Sequence, residues 1–235
     1  MDYKHYFTIP KKIWTYLPPT RDTNPSTERA RMLCIEEWKR SHPGMEIIIL
    51  TKENCQGYLR IPPPLLNHPI LNETPERFMR LLEFFALTEH GGIWMDPTVM
   101  TRGDLRTWVF SKHAQMTVFY SHSQHVDEKE THHTIDPGWI ASTRAHPFIE
   151  AWKTEWLKLL EYPSADDYVE ARRSWGVPMS HVKDPIAEST EVALQTMYMF
   201  HPQSVETILF RPVKDAAENG MEWLTPDEVK RRIYQ

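Results

Sequence analysis

A single aspartate at a sharp turn is the residue of this sequence best suited to bind a charged group. Asp96 follows the pair Gly91–Gly92 and the apolar segment 93–95, and Pro97 and Thr98 come directly after it. The chain has 8 glycines against 19 prolines, so two adjacent glycines stand out. Proline cannot continue the hydrogen-bond ladder of a strand, and we therefore expect a strand that ends on Asp96. An aspartate before proline is also a common turn former, so the motif alone leaves both readings open.

Strands and helices alternate around this motif. Strands are predicted at 11–17, 46–50, 93–95, 116–120 and 139–142, and helices after Asn24–Pro25, from Thr74–Pro75 to Gly91, at 147–160, at 189–199 and after Thr225. This alternation predicts an α/β fold with a mostly parallel central sheet flanked by helices. Ligands of such sheets bind outside the carboxyl ends of the strands, where Asp96 is expected.

Length and composition limit the class of protein. A chain of 235 residues is long enough for one α/β domain, and we expect a single domain over residues 1–235. The formal charge of −5 gives no overall attraction to nucleic acid. No apolar run reaches the roughly 20 residues of a membrane helix, and residues 1–6 lack the apolar stretch of a signal peptide. We therefore expect no integral membrane segment and a cytoplasmic location.

Residues 91–99 resemble the signature of sugar transferases related to glycosyltransferase family 32 and to the capsular polysaccharide synthesis proteins. In that group a Gly-Gly-aromatic strand delivers a metal-binding Asp-X-Asp motif or its Asp-X-Thr variant. Residues 9–14 are similar to the family's first strand, and residues 38–47 to its next helix-to-strand step. Residues 139–142 and 146–148 resemble the downstream strand and the start of its helix.

The resemblance implies a GT-A-like, nucleotide-sugar-binding fold. Its nucleotide-sugar half would span about residues 9–100, and its acceptor-side half about residues 101–235. The implied reaction is metal-dependent transfer of a sugar from a nucleotide sugar, expected to be a UDP-sugar, to a glycan hydroxyl, with retention of configuration. The implied cofactor is Mn²⁺ or Mg²⁺, because a cation neutralises the charge on the departing diphosphate.

The resemblance also suggests roles for individual residues. Asp96 and Thr98 would bind the metal, and Trp14, Thr15 and Tyr16 would hold the base and ribose. A late metal ligand is expected among His181, Asp184 and His201, with His201 as the preferred candidate. Asp96 and Asp136 are the candidate catalytic residues, while Asp184 and Glu188 stay open as alternatives to Asp136.

Two positions depart from the family pattern. Thr98 replaces the second aspartate of Asp-X-Asp, so one charged metal ligand is missing. The family's Asp-X-X-Arg pair, which contacts the donor sugar, is reversed here as Arg80 and Glu83. Residues three apart lie on the same side of a helix, so Arg80 and Glu83 can still pair. Two readings stay open: a solvated ion pair on the surface, or an Arg80 whose guanidinium reaches a diphosphate oxygen of the donor.

Other readings follow from the histidines and tryptophans. A histidine-rich segment precedes Asp136 and is either a loop that closes over the donor or a solvated loop: His113, His122, His125, His132 and His133. Trp139 and Trp175 are expected to stack on an acceptor sugar or to pack in the protein. One alternative function is a non-catalytic nucleotide-sugar- or glycan-binding relative. Another is a metal-dependent hydrolase, although no His-X-X-X-His or His-Glu-X-X-His spacing supports it.

Overall fold

The computed structural model describes residues 8–19, 25–101, 105, 109, 115–121, 134–180, 182–185, 187–201, 208–212 and 221–223. The strands in these ranges are β1 (Lys12–Tyr16), β2 (Glu46–Leu50), β3 (Gly92–Met95), β4 (Val99–Thr101), β5 (Met116–Ser121), β6 (Thr134–Ser142), β7 (Ile208–Pro212) and β8 (Met221–Trp223). The helices are α1 (Pro25–Ser41), α2 (Cys55–Tyr58), α3 (Pro63–Leu66), α4 (Pro69–Asn72), α5 (Pro75–Glu89), α6 (Pro147–Leu157), α7 (Ala165–Ser174) and α8 (Ser189–Phe200), with a 3-10 helix at Lys158–Glu161.

Six strands form the central sheet in the order β2-β1-β3-β6-β5-β7. β1 is parallel to β2 and β3, and β5 is parallel to β7. β6 is antiparallel to both of its neighbours, β3 and β5. Three of the five pairings are therefore parallel, which confirms the predicted α/β fold with a mostly parallel sheet flanked by helices. β4 pairs with β8 in a separate antiparallel ribbon.

Parallel pairing of β1 and β3 brings their carboxyl ends to one edge of the sheet. We call this the Asp96 edge, because β3 ends there immediately before Asp96. The opposite edge, where β3 begins after Gly91, is the Gly91 edge. Since β6 is antiparallel to β3, Met95 pairs with Trp139 and Gly92 pairs with Ser142. The end of β6 at Ser142 is therefore at the Gly91 edge, and the segment before Trp139 is at the Asp96 edge.

Alternating side chains of β1 divide the core between the two faces of the sheet. Trp14 and Tyr16 are buried with the apolar side of α5, whereas Ile13 is buried with α1. Each fully buried side chain of this size contributes about 1.5–3 kcal/mol to folding. α5 therefore covers one face of β1 and β3, and α1 covers the other.

α5 is the helix that precedes β3 and Asp96 in the chain. Thr74 caps this helix, since its Oγ1 accepts a hydrogen bond from Arg77 N at 3.3 Å, and Pro75 occupies the first turn. The helix runs to Glu89, and Gly91 N still donates to Leu87 O at 3.0 Å. The predicted helix from Thr74–Pro75 to Gly91 is thus confirmed, and α5 runs from the Asp96 edge to the Gly91 edge.

β6 is longer than the strand predicted at residues 139–142, because it contains an irregular segment. Val118 of β5 pairs with Ile140, and Tyr120 pairs with Ile135. An advance of two residues along β5, from 118 to 120, is therefore matched by five residues along β6, from 140 to 135. The additional residues of β6, within 136–139, form a bulge. Pro137 has no N–H to donate to a ladder hydrogen bond between strands. A bulge is one of the few places in a sheet where proline is tolerated.

The C-terminal third is only partly described. The predicted helix at 189–199 is confirmed as α8, which packs against α6. The predicted helix after Thr225 and the cap residue Asn24 lie outside the described residues. None of the described helices is both long and apolar enough to span a membrane.

Candidate active site

The turn before β3 depends on its two glycines. Gly91 has φ 68° and Gly92 has φ 108°, in the region that side chains rarely adopt. A Cβ at Gly91 would lie 2.5 Å from Arg144 N, and one at Gly92 would lie 2.8 Å from Lys12 O. Trp14 Nε1 also donates to Gly91 O at 2.9 Å. The turn therefore packs tightly against the backbone around it and fixes where β3 begins.

β3 ends at a turn that Asp96 closes with its own side chain. Asp96 Oδ1 accepts hydrogen bonds from Thr98 N at 2.8 Å and from Thr98 Oγ1 at 2.6 Å. Asp96 N donates to Gly138 O at 2.8 Å, which joins the turn to β6. The second carboxylate oxygen of Asp96 accepts no hydrogen bond from the described residues. Asp96 is half-buried, so a single carboxylate oxygen is available for a ligand.

The β6 bulge places a second carboxylate next to this turn. Asp136 Oδ1 accepts a hydrogen bond from Gly138 N at 2.7 Å, and Asp136 is half-buried. The same Gly138 accepts the Asp96 N–H through its carbonyl oxygen. One glycine therefore connects the two aspartates that the sequence indicated as metal ligand and catalytic residue.

The reversed pair on α5 faces the same edge. Arg80 and Glu83 form an ion pair, with side chains 11% and 2% exposed, and Arg80 Nη1 donates to Pro137 O at 2.8 Å. Burial raises the pKa of Glu83 to about 7, although the Arg80 charge lowers it. The charges of Asp96 and Asp136 raise the pKa of Glu83 further. Three carboxylates and one guanidinium therefore interact, and Arg80 and Glu83 are not a solvated surface pair.

The three predicted nucleotide-binding residues of β1 are buried. Trp14 is 1% exposed, stacks on His90 with ring centroids 5.3 Å apart, and donates to Gly91 O. Its indole nitrogen therefore points to the Gly91 edge, away from Asp96. Thr15 is fully buried and its hydroxyl has no hydrogen-bond partner among the described residues. Tyr16, 2% exposed, packs on Phe78 at 5.6 Å and lies at the Asp96 edge.

The preferred late metal ligand is not brought to the Asp96 edge. α8 runs antiparallel to α6, since Ser189 Oγ lies 3.4 Å from Trp156 Nε1 whereas Tyr198 packs on Phe148. α6 begins shortly after β6 has reached the Gly91 edge. His201, at the end of α8, therefore lies toward the Gly91 edge, and its role as a ligand stays a prediction.

The other late candidates are near the beginning of α8 or are not described. Asp184 is exposed and accepts a hydrogen bond from Ala187 N at 3.1 Å, and Glu188 precedes α8. His181 lies outside the described residues, and so does the histidine-rich segment: His113, His122, His125, His132 and His133. Among the described residues, no group of three or more His, Cys, Asp or Glu is arranged to hold a metal ion.

The two tryptophans considered as sugar platforms differ in exposure. Trp139 is fully buried and packs on Phe119, with ring centroids 4.8 Å apart, so its side chain is part of the core. Trp175 is 49% exposed, and the guanidinium carbon of Arg172 lies 4.3 Å from its ring centroid. Trp175 thus keeps an open surface, whereas Trp139 does not.

Sequence reasoning missed the contact between Arg80 and Pro137 and the part played by Gly138. Both depend on a bulge, which no periodic pattern predicts. The available signal was the run Asp136-Pro137-Gly138, which combines three residues typical of turns directly before the strand predicted at 139–142.

A family model matches most of the chain. Residues 4–171 match the model described as "Capsular polysaccharide synthesis protein", which is well over half of the 235 residues. The matched range includes β1 to β6, α6 and most of α7. No curated protein sequence matches the chain significantly.

Several solved structures align with this chain at low sequence identity and with TM-scores below 0.5. One is a glycosyltransferase involved in the glycosylation of the major capsid of PBCV-1, with 10% identity, TM-score 0.47, and coverage of 96% of this chain and 100% of that one. The PaToxG glycosyltransferase has 13% identity and TM-score 0.45, covering 83% and 70%. The apo-form glycosyltransferase GlyE of Streptococcus pneumoniae TIGR4 has 11% identity and TM-score 0.43, covering 90% and 49%.

Proposed function

Because the chain belongs to the capsular polysaccharide synthesis protein family, we propose that it is a glycosyltransferase that uses a nucleotide sugar as donor. The expected donor is a UDP-sugar, the acceptor is a glycan hydroxyl, and the configuration is retained. The observation that carries this proposal is the group of charged side chains at the Asp96 edge: Arg80, Glu83, Asp96 and Asp136. Ligands of α/β sheets bind at this edge. A sugar diphosphate carries negative charge, which such a group can orient through a bound divalent cation.

The donor set at this edge fits a hard divalent cation such as Mn²⁺ or Mg²⁺. The free carboxylate oxygen of Asp96 is the first candidate ligand, and Thr98 supports it by donating two hydrogen bonds to the other oxygen. Since no three-residue group is present in the described part of the chain, diphosphate oxygens and water would complete the coordination. When bound, the cation neutralises charge on the leaving diphosphate.

Each polar residue of the site then has a distinct task. Asp96 would hold the cation that meets the diphosphate of the donor, and Thr98 fixes the orientation of the Asp96 carboxylate. Asp136 presents a second half-buried carboxylate, suited to hold a sugar hydroxyl or to stabilise positive charge on the sugar. Of the three predicted contacts for the base and ribose, Tyr16 lies at the Asp96 edge, whereas Trp14 points away from it and Thr15 is fully buried.

Nucleotide release from a panel of UDP- and GDP-sugars, with Mn²⁺, with Mg²⁺ or with chelator, tests the proposal. We expect metal-dependent release of one nucleotide. Asp96→Ala should lower it by about a hundredfold or more, because losing a group that only supports a metal ligand already costs about 10–100-fold. Thr98→Val should cost less, about tenfold, because the carboxylate remains. Asp166→Ala is the control, since Asp166 is exposed on α7.

A second candidate function is binding of a nucleotide sugar or glycan without turnover. It is favoured by Thr98, whose hydroxyl donates to Asp96 at 2.6 Å where a second carboxylate ligand would otherwise stand. Calorimetry with the same panel separates the two functions. Metal-dependent binding without release or transfer would support the binding function, and absence of all binding would contradict both.

A further inference from the structure

Arg80 joins α5 to the bulge of β6. Its Nη1 atom donates to Pro137 O at 2.8 Å, and its guanidinium pairs with Glu83 one turn along the helix. Glu83 is 1% exposed, so it is a fixed and buried partner. A guanidinium has several donors in one plane, and it can therefore serve a carboxylate and a carbonyl together.

Pro137 O belongs to the peptide unit that holds the Asp136 side chain in place. The nitrogen of that unit is Gly138 N, which donates to Asp136 Oδ1 at 2.7 Å. A peptide unit is planar, so a donor that holds its oxygen also fixes the direction of its N–H. Gly138 O, on the next unit, accepts the Asp96 N–H at 2.8 Å. Arg80 is thus linked through one peptide unit to the Asp136 side chain, and through the next unit to the Asp96 backbone.

We propose that Arg80 is a positioning residue that acts on the Asp136-Pro137-Gly138 bulge rather than a direct contact to the donor diphosphate. This inference rests on the function proposed above. A bulge interrupts the regular ladder of its strand, so a hydrogen bond from a neighbouring helix has more influence there than in a regular strand. Glu83 holds the guanidinium at the carbonyl, and Arg80 holds the bulge.

A charge exchange separates this role from a simple ion pair. The double variant R80E/E83R keeps an i,i+3 pair, but a carboxylate at position 80 accepts hydrogen bonds and cannot donate to Pro137 O. R80K replaces the planar guanidinium by an ammonium group, which can still donate a hydrogen bond. It therefore tests the bond to Pro137 O with a smaller change. The matched control is E170R/R173E, because Glu170 and Arg173 are an exposed i,i+3 pair on α7.

Steady-state kinetics with the donor that the nucleotide-release panel identifies give the first readout. We expect R80E/E83R to lower kcat by about tenfold to a hundredfold, because small displacements of catalytic groups cost up to about a hundredfold. The KM for the donor should change far less, R80K should recover part of kcat, and E170R/R173E should match the unchanged chain. A large rise in KM with kcat retained would indicate direct diphosphate binding and overturn the proposal, and so would wild-type kinetics in R80E/E83R.

Amide hydrogen exchange gives a second readout that does not need activity. We expect R80E/E83R, and to a smaller extent R80K, to lose protection at the Gly138 and Asp96 amides, whose acceptors are Asp136 Oδ1 and Gly138 O. E170R/R173E should keep that protection. Unchanged protection in R80E/E83R would overturn the inference. Lost protection in a chain that transfers no sugar would support Arg80 as the holder of the bulge and would contradict the proposed function alone.

Discussion

At the scale of single residues, the site is defined by how each carboxylate is held. Asp96 has one oxygen bonded by Thr98, Asp136 is bonded by a backbone N–H, and Glu83 is buried against Arg80. Burial raises the pKa of Glu83, because it disfavours the charged form of the carboxyl group.

Glu83→Gln should change the pH dependence of stability. Burial raises the pKa of Glu83 from 4.5 to about 7, so the folded chain binds a proton more tightly than the unfolded chain does. The free energy of unfolding contributed by Glu83 therefore falls as pH rises from about 4.5 to about 7, and it levels off above that range. Since glutamine does not titrate, the variant should lack this decline.

Urea denaturation at about pH 5, 6, 7 and 8 measures the difference between the two chains. We compare the free energy of unfolding of Glu83→Gln with that of the unchanged chain at each pH. The value for the variant should rise relative to the unchanged chain up to about pH 7, and the difference should stay constant above that pH. Glu170→Gln, on exposed Glu170, should follow the unchanged chain throughout. Parallel curves for Glu83→Gln would show that Glu83 keeps an ordinary pKa.

At the scale of elements, the sequence indicated the regular parts of the site and missed the irregular one. Periodic apolar residues and the Thr74–Pro75 cap predict α5 and β3, because helices and buried strands have repeating patterns. The β6 bulge has no repeat, and its geometry depends on how β5 pairs across it. The predicted family, confirmed by the match over residues 4–171, indicated Asp96 but not the contact between Arg80 and Pro137.

The turn between α5 and β3 should tolerate no side chain. Gly91→Ala would place a Cβ 2.5 Å from Arg144 N at a residue with φ 68°, so both packing and backbone conformation oppose it. We expect a loss of about 1–3 kcal/mol in the free energy of unfolding, measured by urea denaturation. Asp96 follows this turn by five residues, so nucleotide release should fall as well.

Gly57→Ala is the control for that substitution. Gly57 lies in α2, and a Cβ there would meet no atom within 4 Å. Alanine in a helix is expected to leave stability unchanged or to raise it by about 0.4–1 kcal/mol. Equal effects of the two substitutions would mean that the Gly91 turn can shift without cost.

At the scale of the whole molecule, a buried ionic network connects α6, α7 and the 3-10 helix between them. Arg172 is fully buried, donates from Nε to Glu155 at 2.8 Å and from Nη1 to the Tyr162 hydroxyl at 3.0 Å, and stacks on Tyr168 at 4.4 Å. These side chains border a third apolar cluster, which includes Leu159, Val169 and Val192. The network therefore attaches α7 to the part of the molecule that carries the sheet.

Arg172→Met should weaken the whole fold while leaving the chemistry of the site intact. Glu155 is 7% exposed, and the substitution would leave its carboxylate buried with Lys158 as its one remaining partner in the described part of the chain. Breaking a buried pair in this way costs about 3–5 kcal/mol, whereas Arg173→Met, which removes an exposed pair, should cost about 0–1 kcal/mol. Glu155→Gln combined with Arg172→Met should recover part of the loss, because position 155 then carries no buried charge. Urea denaturation measures the three stabilities, and kcat measured well below the melting temperature of each variant tests the site. A kcat that falls in parallel with stability at such a temperature would show that α7 also shapes the site at the Asp96 edge.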